Sequence, residues 1–132
     1  MPFNLGYELN LCALNADERE AVRQQVEQYK SLRPLVQTGR FLRLQSPFEG
    51  GSTAWMTVAQ DGTEFAVWYY KPEMQPEEAY INVRLRGLEE NARYRDRESG
   101  RVYSGAALMH LGLPIDWQPG DDFSQMWRFV KV

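Results

Sequence analysis

The chain has 132 residues, 43% of them hydrophobic and 25% charged, which is enough for one domain with its own core. Its net charge of -3 argues against nucleic acid or an anionic membrane as a partner, because both favour a basic surface. Cys12 is the single cysteine, so no internal disulfide can form, and the N-terminus shows no signal peptide. We therefore expect a reduced, cytoplasmic setting.

The N-terminal part predicts one strand followed by one long helix. The stretch "NLGYELNL" at residues 4–11 is typical of a short strand. Asn15 and Glu18 have the spacing of a helix N-cap with its return hydrogen bond. A helix is therefore expected over residues 15–37.

The predicted helix is amphipathic. Val22, Val26 and Tyr29 recur at spacings of three and four, which gives one apolar stripe. Pro34 is expected to end or kink the helix, because proline lacks the backbone donor. Gly39 is expected to close the segment.

Beyond Gly39 the hydrophobic period changes to two, which indicates antiparallel strands. Candidate strands lie at 40–44, 52–60, 63–71, 80–88, 92–96, 101–105 and 123–132, with one helical turn expected within 105–115. Asp61-Gly62 predicts a hairpin with a type I′ turn. The fold prediction is mostly β: an antiparallel, Greek-key-like β-sandwich preceded by one strand and one long amphipathic helix.

The sequence offers few groups for catalysis. His110 is the only histidine, and its apolar neighbours predict a partly buried structural side chain. Cys12 is expected to be a small buried residue, and Asp121-Asp122 a solvated turn. The sequence has no clustered Cys and His ligands and no glycine-rich phosphate loop. We predict no catalytic residue, no metal site and no cofactor.

The aromatic content allows two interpretations. The candidates are Trp55, Trp68, Tyr69, Tyr70, Trp117 and Trp127. Strand alternation places Trp68 and Tyr70 on one face and Tyr69 on the other. Aromatic residues fill ordinary sandwich cores, which is the favoured interpretation, but exposed rings can also stack on sugars.

The order of the motifs resembles the C-terminal end of an α-galactosidase of glycoside hydrolase family 36. The specific parts are "GYEL", "SPFE" with the nearby Ala54-Trp55, and "LMHLGLP". The similarity runs from about Phe3 to the last residue, so it covers almost the whole chain.

This resemblance implies an enzyme with an N-terminal β-sandwich, a (β/α)₈ catalytic barrel and a C-terminal antiparallel sandwich. Residues 1–38 would be the last strand and helix of the barrel, and residues 39–132 the C-terminal sandwich. The family uses two aspartates on earlier barrel strands, and no position here matches them. Glu8, at the end of the last barrel strand, is a candidate for a place near the sugar pocket.

The implied function is an accessory, structural domain of an α-galactosidase that is inactive alone. Its partners would be the catalytic barrel and, through the parent enzyme, α-galactosides. A stand-alone carbohydrate-binding sandwich is the alternative. The stripe of Val22, Val26 and Tyr29 is expected to pack on its own sandwich or on a second copy of the chain. Packing on a second copy would form a homo-oligomer.

Overall fold

The computed structural model describes residues 4–73, 81–116 and 120–132. The helices are α1 (Ala16–Thr38) and α2 (Gly105–His110), and a short 3-10 turn spans Leu11–Ala13. The strands are β1 (Arg40–Gln45), β2 (Thr53–Val58), β3 (Glu64–Lys71), β4 (Ile81–Val83), β5 (Arg93–Asp96), β6 (Val102–Ser104), β7 (Leu113–Ile115) and β8 (Phe123–Lys131). The predicted mostly antiparallel β fold with one long helix ahead of it is confirmed.

The strands form two sheets. A six-stranded sheet has the order β1-β2-β3-β8-β5-β6, and β4 pairs with β7 in a two-stranded sheet. The pairs within both sheets are antiparallel. The C-terminal strand β8 thus lies between β3 and β5, where it joins the β1–β3 meander to the β5–β6 hairpin.

The expected strand at residues 4–11 is not formed. Residues 4–8 have no ladder partner in the described part of the chain, and Asn10 caps the 3-10 turn through the Cys12 N–H. A strand requires a neighbour for its backbone groups, and neither described sheet pairs with this segment. Instead the segment lies along α1, where the Tyr7 hydroxyl donates to Gln25 Oε1 at 2.5 Å.

The start of α1 confirms the capping prediction. The Asn15 side chain accepts from the Glu18 N–H at 2.9 Å, and the Glu18 carboxylate accepts from the Asn15 N–H at 2.8 Å. Pro34, which was expected to end or kink the helix, does not end it, because α1 continues to Thr38. Proline removes one backbone donor, but the next residue, Leu35, is buried on the sheet, which holds the last turn in place.

Gly39 ends α1 as predicted, because the neighbouring atoms leave no room for a side chain at this position. Its φ of -73° is open to any residue, so backbone conformation does not require glycine. A Cβ at this position would lie 2.6 Å from Thr57 Cγ2 and 2.9 Å from the Val58 carbonyl oxygen. Glycine is needed because the helix end sits directly against β2.

The β2–β3 turn differs from the predicted type I′ turn. Gly62 has a φ of +69°, whereas Asp61 is not in the positive region, and type I′ needs both. The Ala59 N–H donates to the Glu64 carbonyl at 2.9 Å, which leaves a longer loop between the strands. Asp61 stabilises that loop by accepting from the Thr63 N–H at 3.0 Å.

The inner face of the six-stranded sheet forms the main core with β4, β7 and α2. Phe65 stacks on Phe129 with ring centroids 4.7 Å apart, and Tyr94 meets Phe65 edge-on at 5.2 Å. We call the following buried residues the inner core: Ala54, Met56, Val58, Phe65, Val67, Tyr69, Val83, Leu85, Ala92, Tyr94, Leu108, Leu113, Ile115, Trp127 and Phe129.

The outer face of the same sheet is covered by the C-terminal part of α1. Leu32, Leu35 and Val36 pack on Ala66 and Trp68, and these five residues form the outer cluster. The earlier stripe positions of the helix are half-buried and belong to neither cluster. Only the last turns of α1 are therefore held by the sandwich.

Candidate functional site

An apolar groove lies on the outer face of the six-stranded sheet, beside α1. Its volume is about 550 Å³, and we call it the outer groove, lined by Trp55, Trp68, Tyr69, Tyr70, Ser124, Gln125 and Met126. Strand register brings these residues together, because Trp55 pairs with Trp68 and Trp68 pairs with Met126. The β2–β3 pair and the C-terminal strand β8, which is distant in sequence, thus supply one apolar surface.

Two polar groups mark this region. The Tyr70 hydroxyl donates to Asp122 Oδ1 at 2.9 Å, and this hydrogen bond raises the pKa of the phenol above its usual value. The Trp55 Nε1 atom is buried and has no hydrogen-bond partner among the described residues. A buried donor without an acceptor costs about 1–3 kcal/mol, so Trp55 is a locally unfavourable element of this face.

A charged cluster joins α1 to the sheet at the edge of this face. The Arg128 guanidinium donates to Glu64 Oε2 at 3.0 Å and to Ser31 Oγ at 3.1 Å. Arg97 lies 3.6 Å from the same Glu64 carboxylate. Glu64 is thus balanced by two guanidinium groups, and the cluster positions the helix.

The structure contradicts the prediction for His110. Its side chain is exposed, and Nε2 lies 3.3 Å from Glu90 Oε1. The short helix α2 turns Leu108 into the inner core, which leaves His110 on the solvent side. The histidine therefore lies on the surface, within hydrogen-bond distance of a glutamate.

The prediction that Cys12 is buried is also wrong. Its side chain is exposed, because the Leu11–Ala13 turn buries none of its residues. Glu8 is exposed as well, in the extended segment before that turn. Its suggested place near a sugar pocket stays a prediction.

The remaining candidates fall in different places. Asp121 and Asp122 are exposed, as predicted for a solvated turn. Within the described ranges, no group of three or more His, Cys, Asp and Glu side chains could hold a metal ion. Trp117 lies outside the described residues. No described helix has both the length and the apolar character needed to cross a membrane.

The predicted division of the aromatic residues between two faces is confirmed. Trp68 belongs to the outer cluster, while Tyr69 and Trp127 belong to the inner core. Sequence reasoning missed the contribution of Ser124 and Met126 to the outer groove. Their alternation in "FSQMWRFVKV" gives the correct face, but the pairing of β8 with β3 cannot be read from local sequence.

Comparisons with known proteins identify the family. Residues 52–129 match the glycosyl hydrolase family 36 C-terminal domain. "Alpha-galactosidase AgaA" of Geobacillus stearothermophilus is 40% identical over 132 residues, which are 100% of this chain and 18% of the relative. "Bifunctional alpha-galactosidase/sucrose kinase AgaSK" of Mediterraneibacter gnavus is 39% identical over 115 residues, which are 87% of this chain and 12% of the relative.

Solved structures agree with these relatives. The crystal structure of the family 36 α-galactosidase AgaB from Geobacillus stearothermophilus is 41% identical, with a TM-score of 0.91 over 96% of this chain and 17% of that chain. The α-galactosidase from Lactobacillus brevis is 29% identical, with a TM-score of 0.88 over 96% of this chain and 18% of that chain.

The chain spans less than a fifth of the length of these relatives. The portion it matches is their C-terminal domain, a non-catalytic part of the larger enzyme. The resemblance inferred from the sequence motifs is therefore confirmed, and the chain belongs to the C-terminal domain of glycosyl hydrolase family 36.

Proposed function

We propose that this chain is the C-terminal accessory region of an α-galactosidase, a hydrolase of terminal α-galactosyl residues, and that its role is to dock on the catalytic barrel and stabilise it. The supporting observation is how far the similarity extends. The family's C-terminal domain model matches residues 52–129, whereas the match to the Geobacillus relative covers 100% of this chain. This difference supports the proposal that residues 1–38, with α1, precede the accessory domain.

The burial of α1 supports this division. The helix has 23 residues, of which Leu32, Leu35 and Val36 are buried. A helix of this length is about 35 Å long, and most of it extends beyond the outer cluster. We propose that Val22, Val26 and Tyr29 face the barrel, and that residues 1–38 are its last strand and helix.

The contacts of α1 suit it to connect the barrel to the sandwich. Arg128 binds both Ser31 of the helix and Glu64 of β3, so the helix and the sandwich are linked by charge as well as by apolar contact. A barrel that contains α1 is thereby fixed to residues 39–132. Chemistry on the α-galactoside would take place in the barrel, and this chain would supply stability.

We also propose a cytoplasmic location. Cys12 is an exposed free thiol, and exposed thiols persist most readily in a reducing compartment. Labelling with a thiol reagent in intact and lysed cells of the source would test this, with protection in intact cells as the expected result.

The test of the proposed role uses a chimera. This chain replaces the matching 18% of the Geobacillus α-galactosidase AgaA, and a chromogenic α-galactoside reports activity. We expect an active chimera, whereas the chain alone shows no turnover. Turnover by the purified chain alone, or a chimera that folds but is inactive, would contradict the proposal.

A carbohydrate-binding module is the second candidate, favoured by the aromatic lining of the outer groove. Sugar rings stack on exposed aromatic faces, and Tyr70 is 36% exposed. A ¹H–¹⁵N titration of the chain with galactose and then raffinose tests it. Shifts of the Trp55 indole signal at millimolar sugar would favour this candidate.

A further inference from the structure

We propose that the outer groove is the docking surface for a second, amphipathic helix that lies beside α1 and belongs to the catalytic barrel of the same enzyme. The inference rests on the proposed function and specifies the surface that carries it. Three features of the groove support it: its continuity with the α1 contact, its size, and its apolar lining.

Continuity comes from the shared residues of the two surfaces. Trp68 is packed against α1 in the outer cluster and also lines the outer groove. Trp55 and Met126 likewise pack against that cluster and line the groove. The groove is thus an extension of an interface that already holds one helix.

The groove has the size of a helix site. α1 covers β3 at Ala66, and Tyr70 marks the open end of the same strand face. At about 3.4 Å per residue these two positions are about 14 Å apart, whereas packed helices lie about 8–10 Å from each other. One further helix therefore fits over the Trp68–Tyr70 row without displacing α1.

The chemistry of the groove favours a protein segment over a sugar. Trp55, Trp68, Tyr70 and Met126 supply its outward-facing apolar side chains, and Ser124 is the outward-facing polar one, because Tyr69 and its partner Gln125 face the inner core. A sugar would need several polar partners for its hydroxyl groups. An amphipathic helix instead needs an apolar surface.

The test uses Ser124→Arg, which fills the groove without removing any residue of the outer cluster. Ser124 is exposed on the chain, so the variant leaves the thermal unfolding of the chain alone unchanged. In the Geobacillus chimera it lowers the midpoint of thermal inactivation by about 2 °C or more. Leu111→Arg is the control, because Leu111 is 73% exposed and follows α2, on the opposite side of the sandwich. Leu111→Arg should leave the thermal unfolding of the chain and the thermal inactivation of the chimera unchanged.

The outcomes separate the two proposals. An active chimera in which Ser124→Arg behaves like Leu111→Arg overturns the docking surface and leaves the accessory role intact. A folded but inactive unsubstituted chimera overturns both. Concentration-dependent dimers of the chain that Ser124→Arg abolishes would assign the groove to a second copy, and raffinose-dependent shifts of Trp55 would assign it to sugar. Either result would overturn the proposal that a barrel helix occupies the groove.

Discussion

The two faces of the six-stranded sheet differ in how completely this chain covers them. On the inner face, Phe65 and Phe129 are 0% exposed and are enclosed by β4, β7 and α2. On the outer face, α1 covers Ala66 and Trp68 with three residues, while Tyr70 is 36% exposed. The chain therefore completes one core and leaves the other face open.

This difference separates the residues that fold the chain alone from those that are available for assembly with a partner. The inner core unites strands from both sheets with α2, so its apolar burial is available to the chain alone. The outer cluster unites one helix with part of one sheet, and the rest of that face ends in the outer groove. We expect inner-face substitutions to lower the free energy of unfolding of the whole chain. Outer-face substitutions should mainly affect the order of α1 or the docking of a partner.

The largest expected effect is that of Phe65→Ala in the inner core. Phe65 is fully buried and stacks on Phe129, so its truncation removes apolar burial and leaves a cavity. The free energy of unfolding should fall by about 3–5 kcal/mol, as for other buried Phe→Ala substitutions. Urea unfolding of the chain measures it.

Phe48→Ala is the matched control for that experiment. Phe48 is 94% exposed, and its truncation should change the free energy of unfolding by less than about 0.5 kcal/mol. Equal losses for both variants would mean that the inner face is not the core that holds the fold.

Gly39→Ala tests the joint between α1 and the sheet. The added Cβ would lie 2.6 Å from Thr57 Cγ2 and 2.9 Å from the Val58 carbonyl oxygen, so the helix end must move. Overpacking of this kind costs about 1–3 kcal/mol. Hydrogen exchange should become faster in the last turn of α1 and stay unchanged in β5.

Gly50→Ala is the control, because a Cβ there meets no atom within 4 Å. If Gly39→Ala leaves exchange in α1 unchanged, the helix end is not held against β2. In that case the part of the outer face under the end of α1 would be no more tightly packed than the open groove beside it.

Much of this organisation can be predicted from local sequence. The period of two from residue 40 onward gave the strands, and Asn15 with Glu18 gave the helix start, because both patterns depend on neighbours in the chain. Pro34 and the Asp61-Gly62 turn were misjudged. Burial of Leu35 keeps the helix going past Pro34, and the β2–β3 register sets the loop length.

The candidate site was less predictable than the fold. Trp68 and Tyr70 could be placed on one face by alternation, but their contact with Met126 depends on the pairing of β3 with β8, which closes a long loop. His110 and Cys12 were misjudged because apolar neighbours in sequence do not define which side of a short helix or turn is exposed.

A smaller effect is expected for the ion pair between β3 and β8 that holds Arg128 beside α1. The side chains of Arg128 and Glu64 are 17% and 24% exposed, and their closest nitrogen and oxygen atoms are 3.0 Å apart. A double-mutant cycle with Arg128→Ala and Glu64→Ala should give a coupling energy of about 1 kcal/mol. Arg97 remains near Glu64 in the single Arg128 variant, which limits the loss.

The same cycle on Arg23 and Glu20 is the control. These side chains are 60% and 47% exposed on the free part of α1, so water and salt weaken their attraction. A coupling at Arg128–Glu64 no larger than at Arg23–Glu20 would show that Glu64 does not hold Arg128 in its position beside the helix.

The smallest effect concerns the pH dependence of the exposed end of α1. Hydrogen bonds from Arg23 and Gln24 lower the pKa of Glu20 below its ordinary value of 4.5. Both side chains of the Arg23–Glu20 pair are exposed, so water and salt keep this shift small. Because the folded chain favours the charged carboxylate, the stabilisation is fully present above pH 4.5 and is lost as the pH falls below that value. A ¹³C titration of the Glu20 carboxyl in the full chain should show a midpoint below 4.5. Arg23→Ala should return that midpoint toward the ordinary value, and high salt should do so in part. An ordinary midpoint in the unsubstituted chain would mean that this end of the helix has no fixed charge pair, and that the order of α1 comes from its contact with the sheet alone.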